Sequence, residues 1–359
     1  MSMKGKRLAI SMLATAVILV IVVALVAVAG VGYYYYSQQS STHVLSQYKV
    51  AAIFSGPIND GNYNQLGYEA LEALNASGVP TAYTENVPSP TATFLTDVQQ
   101  YINEGYNIIW AHGGQFATAI GVGSNSSTAL AVEYPNVIFI AEADNPAPIN
   151  VPKNVWVIDR NFAPGFYVEG ALAAMTSKSG IIGYIVGQQL PFANAEANAV
   201  IAGARSINPN IKIYRTFTGD FNDPVKARTA VQSMLGLGAD VIISALNLAD
   251  SGIYPAIQGT PVLYESVYTN QYSYVPNNYL TSYLYNFTPP LLHVFNEIKS
   301  GVTSGYYKIP FSPTGGVYMQ TPIANVNSTV QSRIQNIINE VVNGQITVEF
   351  NSTAPGPGP

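Results

Sequence analysis

The stretch Lys178-Ser-Gly-Ile-Ile-Gly-Tyr-Ile-Val-Gly187 leads to Gly203-Ala-Arg-Ser-Ile-Asn-Pro209, then to Gly219-Asp-Phe-Asn-Asp-Pro224, and closes at Gly238-Ala-Asp240. These segments alternate strand, helix, strand, helix, with glycines and an Asp-Pro pair at the turns. The run Ile181–Val186 is short, apolar and continuous, as expected of a parallel strand buried on both faces. Pro224 fits the first turn of a helix, whose N–H has no partner there, and Gly238 follows that helix's end.

The alternation extends outward in both directions. Val50–Phe54, Ile108–Trp110, Val137–Ile140, Val155–Ile158, Ile211–Ile213, Val241–Ile243 and Val262–Tyr264 are further strand candidates. Between them, Asn64–Leu74 sets Leu66, Ala70, Leu71 and Leu74 on one helical face. Thr91–Glu104 does the same with Phe94, Val98, Tyr101 and Ile102, and Gly105 follows as a cap. Helices are also expected at Pro164–Lys178, Asn194–Ser206, Pro224–Leu237, Pro290–Ser300 and Thr329–Asn343. Repeated βα units imply an α/β fold with largely parallel sheets.

The front of the chain has a different character. Lys4, Lys6 and Arg7 precede an uncharged run from Leu8 to Tyr33, longer than the roughly 20 apolar residues that cross a bilayer. Positive charge before the run and none soon after predicts an inside N-terminus, with Tyr33–Tyr36 at the outer interface. Residues 1–36 therefore read as a membrane anchor or a signal segment released by cleavage, the anchor favoured because the apolar run is longer than a cleaved signal usually carries. Residues 37–47 read as a polar tether. The rest is expected outside the membrane.

Composition narrows the function. The chain has no cysteine, which removes disulfides, thiolate chemistry and a lipidated N-terminal Cys. Charged residues make up 10% and the net charge is −5. No basic patch lies beyond the first seven residues, so nucleic acid is not an expected partner. Sequons at Asn75, Asn125, Asn286, Asn327 and Asn351 agree with an exported chain. No nucleophile elbow, zinc-protease motif or phosphate-binding loop occurs. Asp60-x-Asn62-x-Asn64 lacks the glycine and final glutamate of a calcium loop. No enzyme activity, metal or cofactor is expected.

Several longer stretches carry a resemblance. Gly56-Pro-Ile-Asn-Asp60-Gly-Asn-Tyr63-Asn64, Gly105-Tyr-Asn-Ile-Ile109, Glu133-Tyr-Pro-Asn-Val-Ile-Phe139 and Gly165-Phe-Tyr-Val-Glu-Gly170-Ala-Leu-Ala-Ala174 come in this order before the opening stretch. Together they resemble the basic membrane protein family of solute receptors, purine-nucleoside-type binding proteins that feed ABC importers. The resemblance covers about residues 48–350. It implies a type I periplasmic-binding-protein fold: two Rossmann-like lobes with parallel sheets, here preceded by the transmembrane helix. Lobe one would hold 48–159 and about 285–313, lobe two 160–284 and about 314–350, with 351–359 a disordered tail. The partners it implies are a small solute, a nucleoside first among the candidates, and ABC permease subunits.

The resemblance also nominates contacts in the cleft between lobes. Asp60 and Asn64 stand at its strand-to-helix turn, where carboxylate and amide suit ribose hydroxyls, although both residue types also cap helices. Tyr63 and Phe221 match its turn aromatics and suit a base by stacking. Asp144 ends a strand where the family has an Asp. His112 and Gln115 follow the strand at Ile108–Trp110, and Asp250 lies in an altered glycine-rich turn. Glu265 stands for the first of two family aspartates, and Tyr285 for a family lysine. These departures leave open a sugar-type ligand, and a membrane-anchored sensor in place of a transport receptor stays open because one fold serves both roles. A structural surface protein with a collapsed cleft is a further alternative.

Overall fold

The computed structural model describes residues 23–33, 47–124, 126–144 and 151–356. The first half of the chain supplies strands β1 (Val50–Phe54), β2 (Thr81–Thr84), β3 (Ile108–His112), β4 (Ile138–Glu142) and β5 (Val155–Asp159). The second supplies β6 (Ile181–Val186), β7 (Lys212–Phe217), β8 (Val241–Ala245), β9 (Leu263–Tyr268) and β10 (Tyr279–Tyr285). Two short strands follow, β11 (Gly305–Lys308) and β12 (Val317–Met319). The longer helices are α1 (Tyr63–Ala76), α2 (Ala92–Asn103), α3 (Phe162–Thr176) and α4 (Pro191–Ile207). After them come α5 (Pro224–Gly236), α6 (Thr288–Lys299) and α7 (Ser328–Val342).

The strands form two six-stranded sheets, ordered β11-β5-β4-β3-β1-β2 and β12-β10-β9-β8-β6-β7. Every pairing is parallel except β10 with β12. Both sheets thus place their first strand between their second and third, the doubly wound order in which ligands sit beyond the carboxyl ends at the reversal point. The expected α/β fold, with two parallel-dominated sheets, is what the chain forms.

Burial explains why these runs became strands. All five residues of β1, β3, β5 and β8 are buried. In β1, Val50, Ala52 and Phe54 join one apolar cluster, while Ala51 and Ile53 join a second on the opposite face. Such two-sided burial suits helix-covered parallel strands. Four strands were not anticipated. β2 (Thr-Ala-Tyr-Thr) and β11 (Gly-Tyr-Tyr-Lys) are half-exposed edge strands with little apolar signal, and β12 has only three residues. β10 is buried but rich in hydroxyls, which find partners inside: Ser282 Oγ lies 2.6 Å from Ser266 Oγ, and Thr281 Oγ1 donates to Gln320 O at 2.9 Å.

The chain passes between the sheets at residues 160–161, 286–287 and 309–316. These crossovers are bonded to each other. Ile309 N donates to Asp159 O at 2.9 Å, Asn161 Nδ2 to Ile309 O at 3.0 Å, and Asn286 N to Gly316 O at 2.7 Å. The Tyr283 and Tyr285 hydroxyls donate to the carbonyls of Asn161 and Arg160 at 2.7 and 3.0 Å. Asn161 adopts left-handed backbone at φ 55°, a conformation that Asn tolerates better than most residues. After the crossovers, α6 packs on α1 beside the first sheet, and α7 on α3 beside the second.

Residues 23–33 are helical and exposed, and the remainder of the expected anchor and nearly all of the tether lie outside the described residues. Among the described residues, no helix is long and apolar enough to cross a membrane. Asn75, Asn286, Asn327 and Asn351 are exposed, and Asn125 is outside the described residues. Residues 351–356 run along lobe two: Asn198 Nδ2 donates to the carbonyls of Asn351 and Thr353 at 2.7 and 2.9 Å.

Candidate functional site

The carboxyl ends of both sheets face each other across one small cavity. Lobe one contributes Ser55 after β1, Tyr63 at the start of α1, and Gln115 after β3. Lobe two contributes Phe192 in α4, Phe221 after β7, Asn247 after β8 and Tyr268 at the end of β9. Arg160, on the first crossover, completes the wall. The cavity measures about 10 Å³, which is about one water and too little for a base or a sugar. No solute of that size fits the cavity as the two sheets stand here.

The β1–α1 turn is built by its own side chains. Asp60 accepts from the backbone N–H groups of Asn62, Asn64 and Gln65 at 2.8, 3.1 and 3.0 Å. It thereby caps α1, satisfying donors that a helix start leaves free. Asn64 Oδ1 accepts from Ser55 Oγ and Gly56 N, both at 3.1 Å, and its Nδ2 donates to Asp60 Oδ2 at 2.8 Å. Asp60 and Asn64 thus shape the turn without lining the cavity.

Behind Tyr63 lies a buried polar network. His112 Nδ1 is 2.6 Å from Glu142 Oε1, and its Nε2 is 2.9 Å from Tyr63 O. Both ring nitrogens face oxygens that can accept. Trp110 Nε1 donates to the same Glu142 oxygen at 3.1 Å, and the Tyr63 hydroxyl donates to the other. Burial alone would raise the Glu142 carboxyl, but the His112 charge and hydrogen bond, with Arg160, hold it below its ordinary value. The Tyr63 ring stacks on His112 at 4.1 Å between centroids. His112 is fully buried and serves as the floor that fixes Tyr63.

Arg160 is the cation of the site. It is 2% exposed, pairs with Asp144, and reaches the Tyr63 hydroxyl from Nη1 at 3.3 Å. Its guanidinium lies 4.5 Å from the ring centroids of both Phe162 and Phe192, a favourable cation–π placement. Burial opposes its charge, yet Asp144, Tyr63 and Glu142 together raise its pKa further. Asp144 bears the cost: burial lifts it to about 7 against the pull of Arg160.

Lobe two supplies an aromatic wall and a latch. Phe192 and Phe221 are near-parallel, 18° apart with centroids at 6.2 Å. Phe221 lies so close over Gly187 that any Cβ there would overlap its ring. Across the boundary, Asn62 of lobe one inserts into lobe two. Its Nδ2 donates to Asn247 O at 3.0 Å and Asp250 Oδ2 at 3.3 Å, and its Oδ1 accepts from Thr269 Oγ1 and Gln271 Nε2 at 2.8 and 3.0 Å. Asp250 also accepts from Ser244 Oγ at 2.5 Å and Gln271 Nε2 at 2.8 Å. Burial raises it to about 7, against these bonds.

Of the residues nominated from sequence, Tyr63, Gln115 and Phe221 line the cavity, and Gln115 Nε2 also reaches Pro88 O at 3.4 Å. Asp144 reaches it through Arg160, while Tyr285 supports the Arg160 backbone and Asp250 holds Asn62 away from the cavity lining. Glu265 is buried in β9 with both carboxyl oxygens unpartnered and does not reach the cavity. Sequence reasoning passed over Arg160, Asn62, Glu142, Phe192, Asn247 and Tyr268. One signal was available: Asp159-Arg160-Asn161 puts a charged run at the end of a strand of buried residues, where doubly wound folds carry ligand contacts. Among the described residues, no group of His, Asp and Glu is arranged to hold a metal ion. Flat aromatic surfaces beside fixed donors and acceptors suit a planar polar solute.

Comparison with known proteins agrees with this architecture. The sequence profile of Bmp, described as ABC transporter substrate-binding protein PnrA-like, matches residues 47–352. Basic membrane protein A2 of Borrelia garinii subsp. bavariensis is 24% identical over 308 residues, covering 84% of this chain and 88% of that protein. A purine-binding protein of Brucella abortus is 27% identical over 206 residues, covering 56% of this chain and 55% of its own. A solved ABC solute-binding protein of Aeropyrum pernix superposes with TM-score 0.69 at 14% identity, covering 86% of this chain and 94% of that one. The chain belongs to the Bmp family of PnrA-like ABC transporter substrate-binding proteins.

Proposed function

We propose that this receptor captures a nucleoside between its lobes, outside the membrane, and presents it to an ABC permease without chemical change. The observation that carries this reading is the pairing of flat walls, Tyr63, Phe192, Phe221 and Tyr268, with the fixed polar groups of Ser55, Gln115, Arg160 and Asn247 around one interlobe cavity. A nucleoside needs both, a surface to stack on and partners for its ring atoms and hydroxyls. The purine-binding relative supports the same class. The apolar run after Lys4, Lys6 and Arg7 supports an anchor that leaves the lobes on the outer face.

Binding proceeds by opening at the bonded crossovers, entry of the solute against the aromatic wall, and closure that remakes the Asn62 latch. A structural role is the reading that the 10 Å³ cavity would favour if the lobes never part. Thermal unfolding of the full chain in detergent with adenosine, inosine, uridine, glucose and a dipeptide separates the two. A ligand at 100 times its Kd stabilises a fold by about 2.7 kcal/mol, a shift of roughly a few degrees at this size. At least one nucleoside is expected to give that shift, reduced by Phe221→Ala. A panel in which no nucleoside moves the transition contradicts the proposal.

A further inference from the structure

An arginine carries five N–H donors and no acceptor. In Arg160, one Nη hydrogen goes to the Tyr63 hydroxyl and another to Asp144 Oδ2. Nε is buried and has no partner, an uncommon condition for an interior polar group. The side chain cannot swing away to find one. Phe162 and Phe192 both lie against it, each ring centroid 4.5 Å from the guanidinium carbon. Gly114 of lobe one also closes over it, so that a Cβ there would stand 2.5 Å from Nη2 and 2.9 Å from Phe192 Cε1. Arg160 thus brings a crowded guanidinium to the cavity beside aromatic rings, with one hydrogen bond from each Nη and none from Nε.

We infer that Arg160 makes the site selective for solutes with two neighbouring acceptors on one edge, the O6 and N7 of 6-oxopurine nucleosides such as inosine. This rests on the nucleoside reading above and narrows it. The guanidinium fork matches O6 and N7 together, as arginine does when it reads guanine. Adenosine offers N7 on the same edge but replaces O6 with an amino group, setting donor against donor. The pyrimidine ring of uridine has no second acceptor in that place. Such a mismatch leaves buried polar groups unpaired, the kind of discrimination that exceeds what apolar shape provides.

Titration calorimetry of the full chain with inosine and with adenosine tests this. Wild type is expected to bind inosine at least about tenfold more tightly than adenosine. Arg160→Gln is expected to lose at least about tenfold for inosine while adenosine changes less than about threefold. Arg160→Lys, which retains the charge but not the fork, should lose the preference too and gives the readout should the Gln variant fold poorly. Equal affinities in wild type overturn the inference and leave the nucleoside reading standing, as does a preference that survives in both variants. If neither nucleoside binds while glucose or the dipeptide does, the nucleoside reading falls, and the inference with it.

Discussion

Asn62 Nδ2, on the first turn of lobe one, donates to Asp250 Oδ2 of lobe two at 3.3 Å, and neither residue is more than 3% exposed. The same amide meets Asn247, Thr269 and Gln271, so one side chain joins the lobes through four neighbours. Truncating it leaves buried donors and acceptors unmatched, at a cost of about 1–3 kcal/mol. The closed form alone carries this loss. Asn62→Ala should therefore release solute about tenfold faster or more, with the fold itself little changed. Stopped-flow release of a bound nucleoside measures this, and an unchanged rate would show that Asn62 does not hold the lobes together.

Buried carboxyls give the fold a pH dependence. Glu265 and Glu169 are fully buried, and burial raises both well above the ordinary carboxyl range, with Glu169 adding to the rise at Glu265. Burial likewise lifts Glu196 to about 8, although Arg160 opposes it, and Asp250 to about 7. In each case the folded pKa exceeds the unfolded one, so the folded protein binds the proton more tightly. The stabilisation is complete below the unfolded carboxyl value near 4 and is lost as pH rises through the folded values. The Tm is expected to fall from pH 5 to pH 8.5, and Glu265→Gln to make that fall shallower. A Tm that rises over this range would contradict the assignment of these groups as neutral in the fold.

Helices α3 and α4 cross at backbone contact. A Cβ on Gly203 would overlap the carbonyl of Tyr167, and one on Gly170 the carbonyl of Val200. Backbone cannot yield as a flexible side chain can, so Gly203→Ala should cost about 1–3 kcal/mol or more. Gly236, in α5, has nothing within 4 Å of its added Cβ, and Gly236→Ala should raise stability by up to about 1 kcal/mol through helix propensity. Denaturant melts of the two variants are thus expected to move in opposite directions. Equal shifts would refute the close crossing.

The legible part of this chain was its apolar periodicity. Among the described residues, helices α1 to α7 were each expected within two or three residues, and Ile181–Val186 is the strand β6. What escaped was set by tertiary context. β10 holds Thr281 and Ser282 in the interior because their hydroxyls find partners on β9 and after β12, which no local pattern encodes. The site divided in the same way. Tyr63 and Phe221 were visible as aromatics at turns. Arg160 was not, because its place comes from a crossover that brings it against Phe162 and Phe192. Asp60 has the chemistry for ribose, but three backbone N–H groups occupy its carboxylate.

The central claim, that the lobes part and close on a nucleoside, is open to one direct measurement. The chain has no cysteine, so spin labels at Thr96→Cys in lobe one and Arg228→Cys in lobe two, both exposed, report a single interlobe distance. Double electron–electron resonance on the full chain should show a broad distribution that saturating inosine narrows to its shortest population. A distribution that stays the same with inosine, while inosine shifts the unfolding transition, would contradict closure around the solute.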